Sequence, residues 1–431
     1  MKHSLKIKFI ICGFLAVKVV FVESQLASGG NPNGVAANSP KSSIQSTANQ
    51  LNLEPLPLSN TYPPGTPSLI KGAPPLPAAT LDPNKYPALD KVPPTNSDVV
   101  KEWIAKIDLT KAPNIKPNGV NLCQNTTVNQ EAIAKAGADG NCWWSCGGCA
   151  RDSDVQFCPT KGSWGASFDD GPSPYTPNLL QNLEQNKLKA TFFIVGSRAI
   201  SYPEILKAEY MASHQLCLHT WSHPSLTTIT NEEIIAEVAW NMKAFKDILG
   251  VTPNCIRPPY ADIDDRVRFI LKSMGLKVIL WTRNGDHSFD TDDWKIVEGT
   301  QTPQQTAQSF SSILNVQSSM STGFIVLAHD LYPQTVAFSM QYLIPNALKT
   351  QNLKISAIST CLGTDLASSY VETVGLGTKN ITAVGNNQTK LIESKNSTKP
   401  SSDSSSVRIT STSLLRGLMI TRKKGGKAPN S

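Results

Sequence analysis

The stretch HTWSHP places two histidines, His219 and His223, four residues apart in a chain that holds six histidines in all. Neutral imidazoles at this spacing can share a metal ion, although a bare H-x-x-x-H is a weak signal by itself. What strengthens it is the company it keeps. SWGASF runs into Asp169, Asp170, Gly171 and Pro172, and NCIR runs into Arg257, Pro258, Pro259 and Tyr260. LKVILW is followed by FDTDDW, with Asp290 and Asp293, and GFIVLA ends at His329. Each cluster closes a short apolar run. Paired carboxylates, three imidazoles and a guanidinium are the groups that metal-assisted or acid–base hydrolysis needs.

The apolar runs are the elements that must position these groups. SWGASF, ATFFIV, QLCL, NCIR, LKVILW, GFIVLA and LKISAI read as strands. Most are separated by amphipathic helical patterns, such as NEEIIAEVAWNMKAFKDIL before Gly250, with Asn231 as its cap, and DDRVRFILKSM before Gly275. Strand alternating with helix implies a parallel sheet, and seven strands suggest a closed, barrel-like one. Parallel α/β sheets carry their chemistry at the carboxyl ends of the strands, where these clusters fall.

The flanks read differently. Residues 1–24 combine early lysines with an apolar run too short to span a bilayer, as in a secretory signal peptide, so no transmembrane segment is expected. Residues 25–97 hold 14 of the 30 prolines, and composition predicts a disordered linker or stalk. Asp98 caps a helix that opens a Cys-rich block, 98–158, ahead of the catalytic domain at 159–370. Residues 371–431 form a Ser/Thr/Lys-rich tail with three N-x-S/T sequons, Asn380, Asn387 and Asn396; a fourth is Asn125. LLRGLMI is too short for the hydrophobic tail of a GPI signal, so no such anchor is expected.

The net charge of +7 is concentrated in the two flanks, and the middle carries a slight acidic excess, which argues against a nucleic-acid surface. Eight cysteines remain after the signal segment: Cys123, Cys142, Cys146, Cys149, Cys158, Cys217, Cys255 and Cys361. In a secreted chain an even count implies disulfides rather than zinc ligands. Five of the eight lie in the block, so if all pair, at least one must bridge to Cys217, Cys255 or Cys361.

SFDDGP, HTWSHP, RPPY, FDTDDW and LAH, in this order, resemble the five motifs of the polysaccharide deacetylase (NodB-homology) family over about residues 160–360. The CWWSCGGC block further resembles the secreted chitin deacetylases of fungal walls. The resemblance implies a deformed (β/α) barrel with about seven parallel strands, flanked by disordered terminal segments. It implies a divalent metal, Zn2+ or alternatively Co2+, held by Asp170, His219 and His223. It makes Asp169 the general base, Arg257 its holder, the backbone N–H of Tyr260 an oxyanion donor and His329 the general acid. Asp290 or Asp293 orients His329, and the sequence does not choose between them. Trp143, Trp144, Trp221, Trp281 and Trp294 are each either sugar-stacking or core residues, with Trp221 and Trp294 favoured by position. The implied activity is N-deacetylation of chitin or chitooligosaccharides to chitosan and acetate, outside the cell or in its wall, with no specific protein partner. The same mechanism on peptidoglycan or acetylxylan, or a chitin-binding wall protein, are the alternatives.

Overall fold

The computed structural model describes residue 51 and residues 53–375. The expected signal segment, the first part of the Pro-rich stretch and the tail with Asn380, Asn387 and Asn396 lie outside the described residues. Among the described residues no helix is long and apolar enough to cross a membrane.

The seven expected strands are all present: β1 (Ser163–Asp169), β2 (Thr191–Ile194), β3 (Gln215–Leu218), β4 (Cys255–Ile256) and β5 (Lys277–Val278) come first. A small antiparallel hairpin, β6 (Arg283–Asn284) and β7 (His287–Ser288), precedes β8 (Phe324–His329) and β9 (Lys354–Ser356). The main sheet is parallel, in the order β5-β4-β3-β2-β1-β8, and β9 pairs with the first half of β1. The chain beyond β5 then returns to β8. Thr282 and Thr291 donate their N–H groups to the carbonyls of Ile325 and Leu327 at 3.0 and 3.1 Å, and Leu327 donates to Phe289 at 2.9 Å. These bonds close the sheet into a barrel. Every residue of β1 is buried, which is why the strands read as apolar runs rather than as alternation.

Helices 176–185, 203–211, 231–249, 265–273 and 303–317 cover the outside. The helix Asn231–Leu249 is capped by Thr230, one residue before the expected Asn231. Thr230 accepts from the Glu233 N–H while the Glu233 carboxylate accepts from the Thr230 N–H, a reciprocal box. The first helix, Asp98–Lys106, likewise has Ser97 and not Asp98 at its cap position.

Residues 53–97 depart from the expected linker: they lie along the barrel. Ile70 and Leu76 are buried in the main core. Leu56 and Glu54 exchange hydrogen bonds with the Asn178 side chain, and Ser68 donates to the Tyr210 hydroxyl at 2.8 Å. Composition misjudges this segment because it weighs only the segment's own apolar surface. Proline has few conformations to lose and no N–H to satisfy, so a handful of apolar anchors on an existing core is enough to order it.

The Cys-rich block is joined to the barrel as its cysteine count requires. Cys123–Cys146 and Cys142–Cys149 are internal, Cys158–Cys361 reaches the far end of the domain, and Cys217–Cys255 ties β3 to β4. The buried Arg268–Asp154 ion pair, at 2.9 Å, and the Trp143 indole N–H donating to Asp262 at 2.7 Å add polar ties.

Candidate active site

Asp170 follows β1 in a left-handed conformation, with φ at 78°, which swings its side chain away from the strand toward the loop after β3. There Asp170 Oδ1 lies 3.2 Å from His219 Nε2 and 3.1 Å from His223 Nε2. His219 Nδ1 is 2.6 Å from the carbonyl oxygen of Arg257. A carbonyl can only accept, so Nδ1 carries the proton and Nε2 turns a lone pair toward the carboxylate. Asp170 Oδ1 is buried and has no hydrogen-bond partner. Facing lone pairs at this distance repel unless a cation stands between them. Tetrahedral ligands about 2.0–2.1 Å from a metal stand about 3.3 Å apart, close to the spacing found. Asp170, His219 and His223 therefore fit a divalent cation, as one carboxylate and two imidazoles grouped within 4.8 Å.

Asp169, at the end of β1, points to the other side. Arg257 Nη1 donates to Asp169 Oδ1 at 2.6 Å and to Ser167 Oγ at 2.9 Å. The guanidinium is fully buried and stacks 3.9 Å from the Phe193 ring centroid. Burial pulls the Arg257 pKa down, and Asp169 opposes that. The pair is thus fixed in one geometry, with Asp169 Oδ2 left 3.8 Å from His219 Nε2.

His329 ends β8, directly paired with Asp169 in the sheet register. Asp293 accepts from His329 twice, from the backbone N–H at 2.9 Å and from ring Nδ1 at 2.6 Å. Asp290 instead accepts from the Asp292 N–H and from the Trp294 indole, so of the two acids it is Asp293 that meets His329. Burial alone would lower the His329 pKa, but the Asp293 carboxylate, helped by Asp170 and Asp169, raises it to about 10. Burial pushes Asp290 up to about 6.

Tyr260 occupies a left-handed turn, φ 58°, with its ring 57% exposed and 4.7 Å from the His223 ring. Beside them opens a cavity of ≈ 450 Å³, walled by Asn121 and Gln124 of the Cys-rich block and by Ser225 and Thr228. Asn125 sits next to this wall, half-buried. Trp221 does not reach the cleft. Its side chain is 0% exposed and packs into the core, because the turn through Thr220 directs it inward. Trp143 and Trp144 are buried too, Trp281 is half-buried, and Trp294 is 36% exposed beside Asp290.

Three carboxylates that sequence reasoning passed over hold the site in place. Glu237 accepts from the Trp221 and Ser222 N–H groups at 2.7 and 2.8 Å and from the Ser222 hydroxyl, fixing the turn between the two histidines. Burial raises its pKa to about 7. Asp262 ties Trp143 and Ser145 of the Cys-rich block to Thr227. Asp330, which burial raises to about 7, accepts from Thr176 at 2.5 Å behind the Asp169–Pro172 turn. A helical Glu three residues from Ile234 looks like an ordinary member of an amphipathic pattern, and only the fold reveals its partners. Glu237→Ala would leave three donors unpaired at about 1–3 kcal/mol each for buried groups. A loss of several kcal/mol in urea unfolding is expected, and wild-type stability would show that the turn holds itself.

The polysaccharide deacetylase family model matches residues 157–279. Chitin deacetylase 1 of Cryptococcus neoformans var. grubii is 49% identical over 321 residues, covering 73% of this chain and 67% of that protein. The chitin deacetylase of Amylomyces rouxii is 34% identical over 58% of this chain and 61% of its own length. Chitin deacetylase 1 of Saccharomyces cerevisiae is 31% identical over 62% of this chain and 86% of its own length. With the strand-end groups in place and relatives matched at this level over most of their length, the chain belongs to the polysaccharide deacetylase family.

Proposed function

We propose that the chain hydrolyses the N-acetyl groups of N-acetylglucosamine units in chitin, releasing acetate and leaving chitosan. The observation that carries this reading is the Asp170–His219–His223 cluster, flanked by a held carboxylate, Asp169, and a held imidazole, His329. A divalent cation bound by the cluster, Zn2+ before Co2+, supplies Lewis acidity that polarises a carbonyl and acidifies water. Asp169 accepts the proton of the attacking water. Arg257 keeps it aimed, engaging one oxygen and leaving the other for the water. The backbone N–H of Tyr260 donates to the oxyanion that forms on the amide carbonyl. His329 gives its proton to the departing amine, a poor leaving group without one. Asp293 occupies Nδ1, so Nε2 is the nitrogen that delivers it. Trp294, exposed beside Asp290, offers a ring for a sugar face.

The four disulfides support a secreted protein of an oxidising compartment, outside the cell or in its wall. Asn125 is proposed as a glycan site on the same grounds. Acetate release from chitooligosaccharides, acetylxylan and peptidoglycan, measured side by side, tests the substrate. Release from chitooligosaccharides alone is expected, and preference for either other polymer would replace chitin.

The acid group makes a pH prediction. His329 is protonated below its raised pKa, so activity is lost as pH rises through it. Asp293→Asn removes the carboxylate that does most of the raising, so the basic limb of the rate–pH profile should move to lower pH. An unmoved limb would assign it to another group.

A further inference from the structure

Thr220 and His223, both non-glycine residues, hold φ at 66° and 62° within one five-residue turn. Such conformations are strained for residues with a side chain and persist only where the surroundings enforce them. Part of that support comes from the helix Asn231–Leu249, through Glu237 and through Asn241, whose amide donates to the carbonyls of Ile194 and Thr220. Trp221 stands midway in the turn, between the two histidines. Its indole stacks on Tyr86 at 6.0 Å and 5°, and its Nε1 donates to the Ala88 carbonyl at 3.1 Å. On another side it presses on Gly196, where a Cβ would come within 2.7 Å of the ring.

Tyr86 and Ala88 belong to the Pro-rich strap that lies against the barrel. They are themselves anchored. The Tyr86 hydroxyl donates to Asp247 at 2.6 Å, and Lys243 stands 5.9 Å over the ring. Asp90 accepts from Ser197 at 2.9 Å and pairs with Arg198 at 3.2 Å, next to the Gly196 and Ser197 N–H groups that bond the Thr220 and Trp221 carbonyls. We propose that residues 86–90 are positioning residues for the metal-holding turn, clamping Trp221 so that His219 and His223 converge on Asp170. The strap would then set metal affinity although it contributes no ligand. This rests on the metal reading of the cluster.

The test is Zn2+ affinity by chelator competition on the full chain, with thermal unfolding measured on the same samples. Removal of groups that orient metal ligands typically weakens binding about 10–100-fold. Tyr86→Ala should raise the Zn2+ dissociation constant by about that factor, and turnover at limiting Zn2+ should recover when Zn2+ is saturating. Tyr86→Phe keeps the stacked ring, and its affinity should stay near that of the parent. Asp90→Ala, a milder change at the strap's edge, should shift affinity in the same direction and decides the matter if Tyr86→Ala does not fold. If these variants melt earlier yet bind Zn2+ like the parent, the strap is only a brace and the proposal fails. A parent chain that binds no Zn2+ would overturn the metal reading itself.

Discussion

Asp169→Asn is expected to lower turnover by about 10²–10⁴-fold, the usual worth of a general base, while metal content stays at the parent level. The separation follows from geometry. Asp169 Oδ1 is engaged by Arg257, and Oδ2 stands 3.8 Å from His219 Nε2, outside the Asp170-centred cluster. Asparagine keeps an oxygen for the Arg257 N–H but cannot take a proton. It also leaves the buried guanidinium without its counter-charge, so a lower melting temperature should accompany the loss of rate. Elemental analysis and acetate release, read together, check it. A variant that lost metal along with activity would make Asp169 a ligand instead of a base.

His223→Ala is expected to lose both metal and activity together. It removes one of three donors, and the remaining two present a single carboxylate oxygen and one imidazole nitrogen. The fold should survive, because His223 is partly exposed. Its ring does contact Tyr260, whose position should loosen. Full metal stoichiometry with normal turnover would leave His219 and His223 as ordinary loop residues.

The strands and the strand-end groups were legible in the sequence for one physical reason. A parallel sheet covered on both faces makes apolar runs, and polar residues that interrupt such runs have few roles other than chemistry. Asp169, Asp170, His219, His223, Arg257 and His329 all stood out this way. What stayed hidden depends on distant partners. Asp293 and Asp290 differ by three positions in one loop, and only the approach of β8 shows which one meets His329. Glu237, Asp262 and Asp330 are carboxylates whose donors come from other parts of the chain. Trp221 looked like a sugar platform because of its neighbours, yet the positive φ at Thr220 turns it to the interior. The strap was misjudged because its order is supplied by the barrel and not by its own composition.

The Cys158–Cys361 bridge spans 203 positions, from just before β1 to just after β9. It makes the barrel a covalent ring. Constraining a loop of that size lowers the entropy of the unfolded chain by the equivalent of up to about 5 kcal/mol. It also changes what a single cut means. Cleavage of any one surface loop between the two cysteines turns the ring into a linear chain whose halves remain tethered, with β1 and β9 still side by side. Backbone scission and loss of the catalytic unit thereby become separate events.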